Sequence, residues 1–240
     1  SELLERRPDI ASAERAVAVA NAKVGIARSA FFPSLVLATS GGLMASAFSK
    51  ILDAPSWIWA IGAAAAELLA NEEIAIIDVG TTTLELARAI HSHRKITVVT
   101  PSLLVAAELS NAAGVRTLVT GGVLRQGEMS LIGARAEDSF ADLNCDTVFL
   151  GVAGIHPERG LTEYNLDDTR IKQAALGAAR RCVVLADETK LGRVAFANVA
   201  PLSRIDVLVT DAKPGNPVVT AVEDAGAEIV FVNVPDQETS

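Results

Sequence analysis

The chain has 240 residues, and its formal net charge is −8. Half of its residues are apolar and only 4% are aromatic, which predicts a core built from alanine, valine, leucine and isoleucine. Because wrapping nucleic acid requires clustered lysine and arginine, an acidic chain with no basic stripe is not expected to bind DNA directly.

The cysteines and the apolar runs indicate the compartment. Cys145 and Cys182 are the two cysteines of the chain, and neither has the spacing of a metal ligand or of a disulfide framework. No signal-peptide pattern opens the chain, and no apolar run reaches the ~18 residues typical of a membrane helix. We therefore expect a cytoplasmic protein with no membrane contact, no metal site and no cofactor.

The segment before about Ala60 has the pattern of one long helix. Apolar residues recur there at the spacing of a coiled-coil seam, at Ile10, Ala13, Val17, Ala20, Val24, Ala27 and Phe31. The helix is predicted to end where Phe32 precedes Pro33, because a residue before proline is displaced from the helical region.

After Ala60, short β-branched runs alternate with amphipathic helices. The predicted strands are Ile74–Asp78, Ile96–Val99, Arg116–Val119, Thr147–Leu150, Cys182–Ala186, Ile205–Val209 and Glu228–Val232. The predicted helices are Thr82–His91, Pro101–Asn111, Asp167–Arg180 and Pro217–Ala225. Continuous apolar strands separated by helices are typical of a mostly parallel sheet that helices cover on both faces. The sequence therefore predicts an α/β fold.

The strongest local signal is Asp-Val-Gly-Thr-Thr-Thr, from Asp78 to Thr83, which joins a predicted buried strand to a helix. Gly80 allows the backbone to approach a ligand closely, and the first amides of a helix point outward at its positive end. With the threonine hydroxyls, this arrangement suits a phosphate. The alternative interpretation is a simple helix cap, because threonine is a good capping residue.

Further candidate residues follow other predicted strands. Gly121-Gly122 and the glycines Gly151 and Gly154 come after the third and fourth strands, and Asp187 and Lys190 come after the fifth. Ligands of open parallel sheets bind beyond the carboxyl ends of the strands, so these loops are predicted to line one crevice. Considered one at a time, they also fit ordinary turns and a solvated loop.

The sequence from about residue 61 to 235 resembles the C-terminal sensor domain of DeoR-family transcriptional regulators. The matching motifs occur in order at Asp78–Thr83, Val98–Thr100, Gly121–Arg125, Gly133, Phe149–Gly154, Gly160–Thr162, Lys172 and Ala186–Gly192. The resemblance implies a fold like that of ribose-5-phosphate isomerase, a phosphorylated sugar or polyol as effector, and a homo-oligomer. The implied ligand-binding residues are Asp78, Gly80, Thr81, Thr82, Thr83, Thr100, Gly121, Gly122, Gly151, Gly154, Lys172, Asp187 and Lys190.

Two positions depart from the family pattern. Pro101 stands where the family often has asparagine, which removes an amide N–H and a side-chain donor. Thr189 replaces the serine of an Asp-x-Ser-Lys motif and keeps the hydroxyl.

The first 60 residues do not resemble the winged helix-turn-helix with which DeoR regulators begin. Arg6–Ala11, Ala30–Leu35 and Ala54–Trp57 instead resemble a fragment of NodT/TolC-like outer-membrane efflux proteins. We therefore expect two parts, a non-functional efflux-like helical fragment at residues 1–60 and a sensor domain at residues 61–240. A natural fusion, a rearranged reading frame and an artificial joining of two genes all fit this pattern.

Three functions compete. The first is a sugar-phosphate sensor domain, without enzymatic activity and without its own helix-turn-helix. The second is a sugar-phosphate isomerase, in which Asp78, Asp168 or Asp187 would be the catalytic base. The third is an efflux-complex component, which the first 60 residues alone support. The sequence favours the sensor, because the repressor-like motifs cover the predicted pocket most completely.

Overall fold

The computed structural model of the chain describes residues 56–90 and 95–232. Residues 1–55 of the efflux-like fragment, with its predicted helix over residues 10–31, lie outside the described residues. His91, the last residue of one predicted helix, also lies outside them.

Six α-helices occur in the described part of the chain. They are α1 (Ser56–Glu67), α2 (Thr81–Ala89), α3 (Leu103–Leu109), α4 (Ala134–Asp138), α5 (Leu166–Ala178) and α6 (Pro217–Asp224). Single turns of 3-10 helix lie at Glu188–Lys190 and Leu202–Arg204.

A parallel sheet of seven strands forms the centre of the described chain, in the order β12-β11-β9-β6-β1-β2-β3. Its strands are β1 (Ile74–Ile77), β2 (Ile96–Thr100), β3 (Val115–Val119), β6 (Cys145–Gly151), β9 (Ala179–Leu185), β11 (Val207–Thr210) and β12 (Glu228–Phe231). Each of these strands overlaps a predicted strand, and α2, α3, α5 and α6 overlap the predicted helices. The predicted α/β fold with a parallel sheet between helices is confirmed.

Two smaller sheets were not predicted. One is the antiparallel hairpin of β4 (Val123–Arg125) and β5 (Ser130–Ile132). The other has the order β10-β8-β7, formed by β7 (Gly154–His156), β8 (Gly160–Glu163) and β10 (Ala197–Ala200). The strands of these small sheets have three or four residues and lack the continuous apolar runs that mark the strands of the central sheet.

The inner strands of the central sheet are largely buried, as expected for helix-covered parallel strands. The edge strands β3 and β12 are half-buried or exposed. Within β1, Ala75 and Ile77 pack in the cluster that includes Ile61 of α1 and Leu84 of α2. Ile76 points to the opposite face, where it packs in the cluster that includes Ile171 of α5 and Val222 of α6. Successive strand residues therefore contact different layers.

Helix α1 begins at Ser56 and ends at Glu67, so it crosses the predicted part boundary between residues 60 and 61. Its alanine-rich sequence gave no clear helical period. It packs against α2 at Gly62, where a Cβ would lie 2.7 Å from backbone atoms of Glu85 and Leu86. Glycine at this position therefore lets the two helices come close together.

We predict that Gly62→Ala destabilises the protein and that Gly177→Ala does not. Both glycines lie in helices, where alanine is intrinsically better by about 0.5–1 kcal/mol. At Gly177 nothing lies within 4 Å of an added Cβ, so this gain should be realised. At Gly62 the added Cβ meets backbone atoms, and overpacking should cost about 1–3 kcal/mol. Urea unfolding of both variants measures the difference; equal stabilities would contradict the close helix packing.

Both cysteines are free and buried. Burial raises the pKa of the Cys182 thiol to about 12 and also raises the pKa of Cys145. A buried thiol that keeps its proton is a poor nucleophile.

We predict that neither thiol reacts with a disulfide reagent at pH 8 until the protein unfolds. Labelling rates with and without urea test this expectation. Because the unfolded thiols lose their protons near pH 9 while Cys182 keeps its proton to about pH 12, stability should also fall as the pH rises through this window. Rapid labelling of the native protein would contradict the burial.

Candidate functional site

The strand order of the central sheet reverses between β1 and β6, which are parallel neighbours. From β1 the chain adds β2 and β3 on one side, and it then crosses over to add β6 on the other side. In open α/β sheets, ligands bind beyond the carboxyl ends of the strands at such a switch point. A ligand-binding site is therefore expected at the residues that follow β1 and β6.

A cleft of about 440 Å³ opens at this place. The predicted ligand-binding residues that line it are Asp78, Gly80, Thr81, Thr82, Thr83, Gly151, Lys172, Asp187 and Lys190. The fold brings these residues together from the ends of β1, β6 and β9 and from α5.

Helix α2 points its N-terminus into the cleft. Its N-cap residue, Gly80, has φ 150° and no side chain that caps the helix, so the amides of the first turn have no side-chain partner. The Thr83 hydroxyl donates to the Gly80 carbonyl at 3.0 Å and is fully buried. Thr81 is exposed and Thr82 is half-buried, so their hydroxyls are the accessible ones at this end of the cleft.

Lys172 and Asp78 form a buried ion pair beneath the cleft. Each residue is only about 4% exposed at its side chain, and the Lys172 ammonium donates to an Asp78 carboxylate oxygen. The ammonium also donates to the Gly151 carbonyl at 2.8 Å and lies 3.4 Å from a Glu163 carboxylate oxygen. Gly151 N–H donates to Asp78 at 3.3 Å, which closes the network. Lys172 is thus not the surface lysine that its local sequence suggests.

The two members of this pair have shifted pKa values. Burial raises the pKa of the Asp78 carboxyl above its ordinary value, although the ammonium of Lys172 opposes this shift. Burial alone would lower the pKa of Lys172, but the carboxylates of Asp78 and Glu163 outweigh it and hold that pKa above its ordinary value. Lys172 therefore stays protonated at neutral pH.

A second ion pair, between Arg125 of β4 and Asp168 of α5, lies in the wall of the cleft. Asp187 is buried and accepts hydrogen bonds from the amide and the hydroxyl of Thr189. Lys190 is half-buried at the same end of the cleft. Among the ion pairs of the described residues, none includes Lys190.

The structure does not bring Thr100, Gly121, Gly122 and Gly154 to the cleft lining. The buried Thr100 hydroxyl oxygen accepts from the Ser102 amide at 3.0 Å. A Cβ on Gly122 would lie 2.7 Å from the Ile132 carbonyl, and one on Gly154 would lie 2.4 Å from the Arg193 carbonyl.

Close backbone packing therefore accounts for glycine at Gly122 and Gly154. At the third glycine, Gly121, the amide donates to the Ser139 hydroxyl at 3.0 Å.

The sequence did not point to several residues of the cleft, namely Trp57, Ile58, Ser130, Glu163, Tyr164 and Asn165. Arg125 ends one of the family-like motifs but was not assigned a role at the site, and Glu163 directly follows another motif, so extending that motif by one residue would have found it. Trp57 and Ile58 were assigned to the efflux-like fragment. Ser130 carried no signal, because it belongs to the unpredicted hairpin.

Among residues 56–90 and 95–232, no helix has the length and apolar character that crossing a membrane requires.

Family models match both parts of the sequence. The model described as DeoR C terminal sensor domain matches residues 59–212. The model described as Outer membrane efflux protein matches residues 1–93, so the two matches share residues 59–93. The described residues of this overlap contribute to α1, to α2 and to β1, which is a strand of the central sheet.

The curated relatives are transcriptional repressors. The chain is 34% identical to a putative aga operon transcriptional repressor of Escherichia coli O157:H7, over 72% of this chain and 64% of the relative. It is 31% identical to the glycerol-3-phosphate regulon repressor of Escherichia coli strain K12, over 66% of this chain and 63% of the relative. The chain thus spans slightly less than two thirds of the length of these relatives.

A solved structure with a similar arrangement is ribose 5-phosphate isomerase A from Methanocaldococcus jannaschii. Its TM-score is 0.42 at 13% identity, and the match covers 56% of this chain and 53% of that chain. The extent of the sensor-domain match confirms the resemblance seen in the sequence motifs. The chain belongs to the family of DeoR C terminal sensor domains, whose relatives named above are regulators rather than enzymes.

Proposed function

We propose that the cleft binds a phosphorylated sugar or polyol, and that this ligand is the signal of the sensor domain. The observation that carries the proposal is the uncapped N-terminus of α2, which opens into a polar cleft at the switch point of the sheet. Free amides at the positive end of a helix are a common phosphate site.

The charges around the cleft support the helix terminus as the place of the phosphate. The ammonium of Lys172 is already paired with two carboxylates, and the guanidinium of Arg125 is paired with Asp168. Of the described cations at the cleft, this leaves Lys190 without an ion pair. We therefore assign the phosphate to the amides of Gly80–Thr83, with Lys190 as the nearest candidate counter-charge.

The remaining polar groups suit the hydroxyl groups of a sugar or polyol. Asp187 and Glu163 line the cleft and offer oxygen acceptors. The name of the 31% identical relative, glycerol-3-phosphate regulon repressor, includes a phosphorylated polyol and agrees with this ligand class.

Three further expectations belong to the same proposal. We expect the protein to act in the cytoplasm, as a homo-oligomer, and without direct binding of this chain to DNA. The first rests on the two free cysteines, the second on the family resemblance, and the third on the net charge of −8.

The carboxylates of the cleft favour the sensor over the isomerase. An isomerase needs a carboxylate base beside the substrate's C–H group. Asp78 is paired with Lys172, Asp168 is paired with Arg125, and Asp187 accepts two hydrogen bonds from Thr189. Each of these carboxylates is already engaged within the protein, which leaves none of the three free to act as the base beside a substrate.

We predict that Gly80→Ala abolishes binding of phosphorylated sugars while the fold survives. The φ of Gly80 is 150°, and among the described residues the nearest non-neighbouring atom to an added Cβ is the Thr83 hydroxyl oxygen at 3.4 Å. The methyl group would therefore occupy the space that we assign to the ligand. Thermal-shift titration with glycerol 3-phosphate, ribose 5-phosphate and fructose 6-phosphate measures binding. A ligand at 100 times its Kd should add roughly 2.7 kcal/mol to the wild-type protein.

Gly215→Ala is the matched control. Gly215 also has a positive φ, 89°, and nothing lies within 4 Å of an added Cβ, but it does not line the cleft. Both variants should lose about 1 kcal/mol from backbone strain. Only Gly80→Ala should lose ligand-induced stabilisation; undiminished stabilisation in that variant would remove the phosphate from the α2 terminus.

The fluorescence of Trp57 gives an independent readout of binding. The chain has two tryptophans, and Trp57 lines the cleft while Trp59 is 62% exposed. In a Trp59→Phe background, a saturable change in emission would report the occupancy of the cleft directly.

We predict that Lys172→Met destabilises the protein by about 3–5 kcal/mol, because Asp78 then remains as a buried charge without a partner. The double variant Asp78→Asn with Lys172→Met should recover part of this loss. The pKa of Asp78 is already raised by burial, so the single variant should recover stability as the pH falls and Asp78 becomes neutral. Urea unfolding at neutral and acidic pH measures both effects. A loss below about 1 kcal/mol would mean that the pair does not hold the cleft together.

A further inference from the structure

The hydroxyl group of Ser130 lies in the wall of the cleft without a hydrogen-bond partner. Ser130 is only 1% exposed, and it lines the cleft from the first position of β5. In the described part of the chain, its Oγ forms no hydrogen bond. A buried hydroxyl without a partner costs about 1–3 kcal/mol, so such groups call for an explanation.

The backbone on both sides of Ser130 is fixed. The Met129 carbonyl accepts from the Leu103 amide at 2.9 Å, and the Leu131 amide donates to the Pro101 carbonyl at 2.8 Å. Ser130 itself pairs with Arg125 across the hairpin and forms a bridge with Ser102. Because these bonds hold the segment in place, the side chain cannot reach bulk water by a small backbone movement.

The surroundings of Ser130 favour a neutral ligand group over a phosphate. Glu128 and Asp168 also line the cleft, and the guanidinium of Arg125 is already paired with Asp168. A phosphate here would meet carboxylates without an unpaired cation from the hairpin. An alcohol group has no charge, and it can both donate to and accept from the serine hydroxyl.

We propose that Ser130 is a specificity-determining residue of the cleft, whose hydroxyl forms a hydrogen bond with an alcohol group of the bound sugar or polyol. This assignment rests on the proposed function, and it places the carbon chain of the ligand toward the β4–β5 hairpin while its phosphate lies at α2. The hydroxyl thus gains its partner only when the ligand is present.

Ser130→Ala separates this role from a structural one. Removing a hydroxyl that has no partner in the protein should leave the melting temperature of the ligand-free protein unchanged or higher. The same change should weaken binding of the sugar phosphate by about tenfold, which corresponds to one lost hydrogen bond. Binding of inorganic phosphate, which has no alcohol group, should be equal in the variant and the wild type.

Thr120→Val is the matched control. The Thr120 hydroxyl is also buried without a hydrogen-bond partner among the described residues, but Thr120 does not line the cleft. Its isosteric replacement should raise or preserve the melting temperature and leave ligand affinity within about twofold of the wild type. Ser130→Cys, which keeps the volume but donates weakly, should behave like Ser130→Ala.

The experiment is a thermal-shift titration of all four proteins with glycerol 3-phosphate, ribose 5-phosphate, fructose 6-phosphate and inorganic phosphate. If a sugar phosphate stabilises the wild type and Ser130→Ala equally, the Ser130 assignment is wrong and the proposed function stands. A clear drop in the melting temperature of ligand-free Ser130→Ala and Ser130→Cys would show that the hydroxyl has a partner in the protein, which also overturns the assignment. If no sugar phosphate stabilises the wild type, both proposals fail.

Discussion

The buried ion pair between Asp78 and Lys172 is the interaction on which the cleft depends. Asp78 follows β1 and Lys172 lies on α5, while the Gly151 carbonyl at the end of β6 accepts from the same ammonium. Glu163 at the end of β8 completes the set. A buried charge is tolerated only with its partners, so these segments must keep their relative positions. The switch point of the sheet is thus fixed by electrostatics as well as by apolar packing.

This pairing also constrains what the cleft can bind. Lys172 is the most deeply buried cation of the site, but its charge is already matched by Asp78 and Glu163. A doubly charged phosphate placed on Lys172 would compete with two carboxylates, of which the Asp78 carboxylate is buried. The helix N-terminus at Gly80 carries only partial charges and needs no carboxylate partner. In the binding mode that we propose, the site separates a structural cation from the backbone amides that hold the phosphate, so the net negative charge of the chain does not oppose it.

The sequence predicted the central sheet because its strands are continuous apolar runs, such as Ile96–Thr100 and Ala179–Leu185, separated by helices. It did not predict α1, whose alanine-rich sequence has no clear period, nor the hairpin that carries Ser130. The site was predictable where one short motif holds its residues, as at Gly80–Thr82. Lys172 was predicted to lie at the site through the family resemblance alone, because its partner Asp78 is 94 residues away in the sequence. Long-range pairing of this kind leaves no local pattern.

The glycines of the family-like motifs show why a motif alone does not identify a ligand contact. An added Cβ at Gly122 or Gly154 would meet a carbonyl oxygen at 2.7 Å or 2.4 Å, so glycine there makes room for the protein's own backbone. At Gly80 the nearest such contact is a hydroxyl oxygen at 3.4 Å, and the residue faces the cleft. Packing does not account for glycine at that position, although its φ of 150° favours glycine. Close approach of a phosphate requires an open backbone beside free helix amides. Among the motif glycines that line the cleft, only Gly80 is also the N-cap of a helix.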